Sequence, residues 1–270
     1  MGLIGGSMAK SIKRYTNNQV FGTAKSDNTM TMAKMSGAID GELTSENLSS
    51  CKVILIAIPP VAMIKWVEDN AKYMKGTLLI DLCGVKRNVC KKLSAIAIEN
   101  GFSYLGGHPM AGREVAGFAN ATVDLFKGAS MILTPDEHTN ILELDLAKHL
   151  FEAVGFDHIT YSTPEEHDSI IAYTSQLAHI TSSAYVKSPT AQKQMGFSAG
   201  SYRDMTRVAK LDENLWTELF LENSDYLVDE LKILIANLND YLEVLEAKDA
   251  EKLTELLRVG RELKLTAGGN

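Results

Sequence analysis

Cysteine is scarce in this sequence. Cys51, Cys83 and Cys90 are an odd count without metal-ligand spacing, which argues against a disulfide framework or a metal centre and fits a reducing cytoplasm. They read as small buried apolar side chains. Positive charge is also in deficit: 27 Lys and Arg stand against 34 Asp and Glu, a formal net charge of -7, with no dense basic run. That excludes a nucleic-acid surface, so an anionic ligand has to be held by a few local cations. Long apolar runs are absent. The longest, Val53 to Ile58, stops at Pro59-Pro60, far too short to span a bilayer, and no signal peptide is visible. A cytoplasmic protein without a membrane partner is expected. No internal repeat or low-complexity linker is seen, and no fused third domain is expected. What is present is 45% hydrophobic residues over 270 positions, enough for a sizeable core in one large or two ordinary domains.

The first part alternates strand and helix signals. Gly2-Leu3-Ile4-Gly5-Gly6-Ser7 reads as the end of a G-x-G-x-x-G dinucleotide fingerprint whose first glycine would fall one place before Met1. A short helix carrying Met8, Ala9 and Ile12 follows, then a strand from Gln19 to Thr23. The strand that normally precedes such a fingerprint is missing, so Met1 is expected to be an internal start occupying the variable place between two glycines. About twenty residues on, a dinucleotide fold usually carries an acid for the adenosine ribose. Here Ala24, Lys25 and Ser26 form a neutral-to-positive set that leans toward NADP over NAD, although Asp27 is close enough to reach the ribose.

Lys52 to Ile58 and Thr77 to Leu82 are continuous apolar runs, as parallel strands buried on both faces should be. The first ends at Ile58 and Pro59, the second in a turn containing Gly84, and helices open at Pro60 and Lys86. Such strand ends are where open α/β sheets bind their ligands, so Ile58, Pro59 and Gly84 join the fingerprint as cofactor candidates. A strand from Phe102 to Gly106, another from Ala129 to Leu133, a helix from Ile141 to Val154 and a strand from Asp157 to Tyr161 complete residues 1–161. The class is α/β: a Rossmann-type doubly wound sheet. Past Thr163-Pro164 no convincing strand remains, so residues 162–270 are expected to be all helical. Leu227, Leu231, Leu234, Leu238, Tyr241 and Leu245 step by four and three, a near-heptad seam that predicts a dimer contact.

The stretch Tyr104 to Gly117, YLGGHPMAGREVAG, sets one histidine among glycines. Gly106, Gly107 and Gly112 permit tight turns and close approaches, and Pro109 restrains His108 toward an extended backbone on a stiff loop. Taken with Gly2 to Ser7, Asp81 to Lys86, and Tyr202-Arg203-Asp204-Met205-Thr206-Arg207 followed by Trp216, the HPMAG loop resembles the prephenate dehydrogenase family, which also includes arogenate dehydrogenases. The likeness runs in order over nearly the whole chain.

The resemblance implies oxidative decarboxylation of prephenate to 4-hydroxyphenylpyruvate with hydride transfer to NAD or NADP, in tyrosine biosynthesis, by a homodimer joined through its helical domain. It implies that His108 takes the substrate hydroxyl proton, a natural task for a neutral imidazole. Arg207 is the implied carboxylate anchor, with Arg203 its less favoured neighbour. Glu114 joins an ionic gate, and Trp216 forms an aromatic wall. Asp204, three residues before Arg207, could orient the guanidinium if the segment is helical. Lys86, Gln176 and His179 complete the implied substrate-side set.

Two departures stand out. Where the family often has D-x-x-S-x-K, this chain has Gly84 in place of the serine; where it often has a histidine, this chain has Gln176. His167, beside Asp168, reads as a helix-capping or interdomain contact, and His138, His149 and His158 have no supporting motif. The alternatives are an arogenate dehydrogenase, a related reductase relying on a lysine, or a catalytically impaired nucleotide-binding dimeric protein. Any inhibition by tyrosine is expected to act at or near the active site.

Overall fold

The structure, a computed structural model, describes residues 1–267. It opens on α1 (Leu3–Tyr15), β1 (Phe21–Gly22), α2 (Asp27–Met35), β2 (Gly41–Glu42), α3 (Ser45–Leu48) and β3 (Val53–Ile56). Then come α4 (Pro60–Asn70), β4 (Leu78–Asp81), α5 (Arg87–Asn100), β5 (Ser103–Pro109), β6 (Ser130–Thr134), α6 (Ile141–Ala153) and β7 (His158–Tyr161). The rest is helical: α7 (Pro164–Ile171), a π-helical stretch (Ala172–Leu177), α8 (Ala178–Tyr185), α9 (Gly200–Thr206), α10 (Glu213–Glu222), α11 (Ser224–Ala247) and α12 (Ala250–Ala267). Local chemistry sets the boundaries. Pro60 and Pro164 occupy first helical positions, the Thr163 side chain accepts from the Glu166 amide, and Gly101 ends α5 at φ 72°.

The strands form a five-stranded sheet, β3-β4-β5-β6-β7, and a separate parallel pair, β1-β2. β3, β4 and β5 are parallel, as their continuous apolar runs predicted. Their side chains alternate between two cores. Leu79 faces a layer with Ile54, Ile56, Met63, Val67, Val89 and Leu93, against α4 and α5. Leu78 and Ile80 face the other, with Met8, Ile12, Met131, Phe151 and Phe156, against α1 and α6.

One expectation needs correction, and one feature of the sheet had not been anticipated. β6 runs antiparallel to β5, so the sheet is mixed. The connection between them holds only a 3₁₀ turn at Phe118–Asn120, without the helix that usually returns a chain to the start of a parallel strand. β5 also continues past Gly106, pairing His108 with Ile132. His108 therefore sits in a strand and not on a loop. The neighbouring glycines serve close packing: a Cβ on Gly107 would lie 2.7 Å from the Asp81 carbonyl oxygen and 2.6 Å from Met131 Cε.

Packing divides the chain after Asn223, so α7 to α10 belong to the same compact unit as the sheet. The unit from Ser224 onward is an α11/α12 helical pair in which Tyr241 donates to the Leu256 carbonyl at 3.4 Å. Among the described residues, no helix is long and apolar enough to cross a membrane.

An ion pair lies fully buried where β4 leads into α5. Lys86 Nζ donates to Asp81 Oδ1 at 2.6 Å, to the Cys83 carbonyl at 2.8 Å and to the Val85 carbonyl at 3.1 Å. Asp81 Oδ2 accepts from the Tyr104 hydroxyl at 2.7 Å and the Gly107 amide at 3.3 Å. Burial works against the ammonium, but Asp81 and the nearby thiols more than offset it, and its pKa is raised. Removing one partner of such a pair costs about 3–5 kcal/mol, because the other charge stays buried. Asp81→Ala is therefore expected to lower the unfolding free energy by roughly that amount in urea titrations; a loss below about 1 kcal/mol would show that the pair is not structural.

Candidate active site

The C-terminal ends of β3, β4 and β5 bring Ile58, Gly84 and His108 to one side of the sheet, the side on which open α/β sheets bind ligands. His108 is partly buried, and its Nε2 lies 3.8 Å from where a Gly84 Cβ would stand. Leu219 of α10 approaches the same point to 3.7 Å. Behind the ring, His108 Nδ1 is 2.9 Å from His167 Nε2, and His167 Nδ1 is 2.8 Å from Asp168 Oδ1. His167 and Asp168 are buried on α7.

Asp168 is well satisfied. Oδ1 also accepts the Lys86 amide at 2.8 Å, and Oδ2 accepts the Arg87 amide at 2.9 Å, so one α7 carboxylate covers the N-terminus of α5. Burial opposes its charge, but the bonds from His167 and the two amides prevail and its pKa falls. Burial lowers the pKa of His108 well below the usual histidine value, helped by His167 and the Lys86 charge. His167 is lowered too, chiefly by burial, against the pull of Asp168.

A second group lies on the helices. Arg207, in the 3₁₀ turn after α9, pairs with Glu114 from the β5–β6 connection. His179 of α8 stacks on Trp216 of α10, with centroids 3.7 Å apart and planes 28° from parallel. Burial lowers the His179 pKa, and both Arg207 and Glu114 are close enough to act on it. Trp216 also lines a recess of about 250 Å³ with Phe220, Ile180, Leu211 and Lys187. Trp216 and Leu219 are three apart on α10, so one helix face serves both groups.

The remaining candidates form a third group. Gly2 caps α1 without a side-chain bond, and a Cβ there would meet nothing within 4 Å, which leaves the first-turn amides accessible. The Met1 ammonium donates to the Thr23 carbonyl at 2.7 Å, which sets Gly2, Leu3 and Ile4 beside Ala24, Lys25 and Ser26. A Cβ on Gly5 would lie 3.5 Å from the Ala57 Cβ, next to Ile58 and Pro59, and a Cβ on Gly6 would strike the Phe118 ring at 2.6 Å. Ser26 is occupied in part as the cap of α2, accepting the Thr29 amide.

Three of the proposed substrate-side residues lie elsewhere. Lys86 is fully buried, and its three donors are spent on Asp81, Cys83 and Val85. Gln176 is buried as well: its amide donates to the Leu219 carbonyl at 3.1 Å and accepts from Asn223 at 2.9 Å. Asp204 is exposed and does not bond Arg207, whose partner is Glu114. His167, read from sequence as a capping or interdomain contact, instead backs His108. The only signal for it was an adjacent His-Asp pair behind a helix-starting proline.

The model described as prephenate dehydrogenase, nucleotide-binding domain, matches residues 8–160, and that described as prephenate dehydrogenase, dimerization domain, matches residues 163–259. The chain belongs to the prephenate dehydrogenase family. It is 28% identical to prephenate dehydrogenase from Bacillus subtilis (strain 168), over 98% of this chain and 73% of that one. It is also 28% identical to cyclohexadienyl dehydrogenase from Zymomonas mobilis, over 98% and 93%. The structure of prephenate dehydrogenase from A. aeolicus in complex with hydroxyphenyl propionate and NAD+ matches with a TM-score of 0.81 and 26% identity, over 99% and 96%. Against the prephenate dehydrogenase pattern, Gly84 puts no side chain beside His108 Nε2, and Gln176 serves the amide network.

His108, His167 and His179 all have lowered pKa values in the fold, whereas the unfolded chain titrates them near about 6.5. Between the folded and unfolded values the unfolded chain binds more protons, so stability is intact above about pH 6.5 and falls as the pH drops below it. The melting temperature is expected to hold from pH 7.5 to about pH 6.5 and to decrease from there to pH 5.5 in calorimetry. A flat profile over that range would contradict the neutral, buried histidines.

Proposed function

We propose that this chain oxidatively decarboxylates prephenate to 4-hydroxyphenylpyruvate, in tyrosine biosynthesis, with a nicotinamide dinucleotide as acceptor. The observation that carries the reading is a partly buried imidazole, kept neutral, whose Nε2 points toward Gly84 beside Leu219 at the strand ends, 3.8 Å from where a Gly84 Cβ would stand. A neutral imidazole there is a competent acceptor for the proton of a ring hydroxyl. Arg207, held by Glu114 beside His179 and Trp216, supplies the cation that a dicarboxylate needs in an acidic protein, and its planar fork suits a carboxylate. That a related family enzyme is seen with hydroxyphenyl propionate and NAD+ supports the same pairing of ligands.

The residues present fit the dinucleotide. The first-turn amides of α1 lack a side-chain cap, no atom crowds Gly2, and Gly6 permits the close approach of α1 to Phe118. When bound, the nicotinamide supplies the hydride acceptor. Ala24 offers no carboxylate and Lys25 is exposed beside it, which supports a preference for NADP, with Ile58, Pro59 and Gly84 along the strand ends completing the binding surface. Residues 1–161 then form the cofactor part and 162–270 the substrate and dimerisation part, in a cytoplasmic enzyme.

Prephenate is expected to produce a rise in absorbance at 340 nm with NADP, and a weaker one with NAD. His108→Asn should fold and bind cofactor but lose turnover by about 10²–10⁴-fold. No prephenate-dependent signal with either cofactor would overturn the function, and near wild-type turnover in the variant would remove His108 from it.

We also propose a homodimer. Leu238, Leu245 and Leu263 are each more than half exposed on α11 and α12, and the matching family model is described as a dimerization domain. Light scattering should give twice the 29.5 kDa chain mass; a monomer at working concentration would refute it.

A further inference from the structure

We propose that His167 and Asp168 are positioning residues that hold His108 in one tautomer, with Nδ1 protonated toward His167 and the Nε2 lone pair facing the substrate. The inference rests on the reading of His108 as the proton acceptor and explains how that nitrogen is kept bare. The assignment starts at the carboxylate. Asp168 is ionised and can only accept, so the facing nitrogen, His167 Nδ1 at 2.8 Å, carries the hydrogen. A neutral imidazole has a single N–H, which leaves His167 Nε2 as an acceptor. The group 2.9 Å from it, His108 Nδ1, must then donate. His108, itself neutral, is left with an unprotonated Nε2, the nitrogen that faces Gly84 at the strand ends. The reverse arrangement would set the His167 Nδ1 lone pair against a buried carboxylate, with both groups deprived of a hydrogen bond.

The chain is held firmly at its far end. Asp168 is fixed by the Lys86 and Arg87 amides, and Arg87 Nε lies 3.4 Å from Oδ2. His167 is 2% exposed, so water cannot readily exchange its proton and reset the order. The other titratable groups around the pair are Asp81, Cys83 and Lys86 at the end of β4, Arg87 and Cys90 on α5, and Tyr104 on β5. Asp81 and Lys86 compensate each other, while burial pushes the Cys83 and Cys90 thiols up to about 12 and 11. Near neutral pH only the histidines themselves can change charge.

In turnover the substrate O–H bond breaks and an Nε2–H bond forms. The C–H electron pair leaves as hydride to the nicotinamide, and the pair of the C–CO₂ bond enters the ring as CO₂ departs. His108, now cationic, keeps its Nδ1–H bond to His167, with the Asp168 charge behind it. Nε2 returns its proton to the ring oxygen of the aromatic product, so His167 need never change protonation state.

Long-range ¹H–¹⁵N spectra of the full-length, histidine-labelled protein at pH 7.5 read the tautomer directly. The wild type is expected to show His108 with Nδ1 protonated and Nε2 bare. His167→Leu should move His108 toward the Nε2–H form and lower kcat by about 10–100-fold, with KM for prephenate nearly unchanged. His167→Gln can still accept from His108 and donate to Asp168, so it should preserve the tautomer and most of the turnover. An Nε2-protonated His108 in the wild type, or a leucine variant with unaltered tautomer and turnover, would overturn the proposal. The wild-type spectrum needs neither a variant nor catalysis, so absence of prephenate turnover would count against the function and leave the tautomer to be judged on its own.

Discussion

A buried carboxylate joins the strand-end half of this site to its helical half. Asp168 on α7 accepts the first amides of α5 and the Nδ1 proton of His167, so one side chain caps a helix of the sheet layer and orders the rings behind His108. Buried charge is tolerated only where hydrogen bonds replace the lost hydration, and here both oxygens are engaged. The same anion that anchors α7 to α5 therefore decides which histidine nitrogen faces the site.

Helix α10 provides the other bracket. Glu218 accepts the Val61 amide at the start of α4 at 2.6 Å, Glu222 accepts from Asn88 at 2.8 Å, and Asn223 bonds both Arg87 and Gln176. Those anchors fix Leu219 over Gly84 and Trp216 against His179. The π-helical stretch before α8 adds to this. Such wide turns interrupt helices mostly where side chains must be re-aimed, and this one ends just before His179 after turning Gln176 inward.

Electrostatics couple the hidden part of the site to the working part. Lys86 is fully buried, yet its charge bears on His108 and His167 and, with burial, favours their neutral forms. Asp81 holds that charge in place and ties it to β5 through Tyr104 and the Gly107 amide. The same neutral histidines that suit proton abstraction make the fold weaker in acid, so stability and readiness for catalysis draw on one arrangement.

Hydrophobic period and turn chemistry determined much of the molecule in advance. Apolar runs ending at Pro59 and Cys83 are parallel strands, Pro60 and Pro164 start helices, and HPMAG with the later R-D-x-T-R segment named the family, because each depends on neighbours in sequence. The antiparallel turn of β6 was not legible, since strand direction follows from the path of a twenty-residue connection without a crossover helix. Tertiary structure alone decided the rest. It buried Lys86 and Gln176, left Asp204 in solvent, and set His167 against His108 across 59 positions of sequence. Burial and hydrogen-bond partnership belong to the packed chain, so residue type can nominate a histidine, but only its neighbours in space assign its proton.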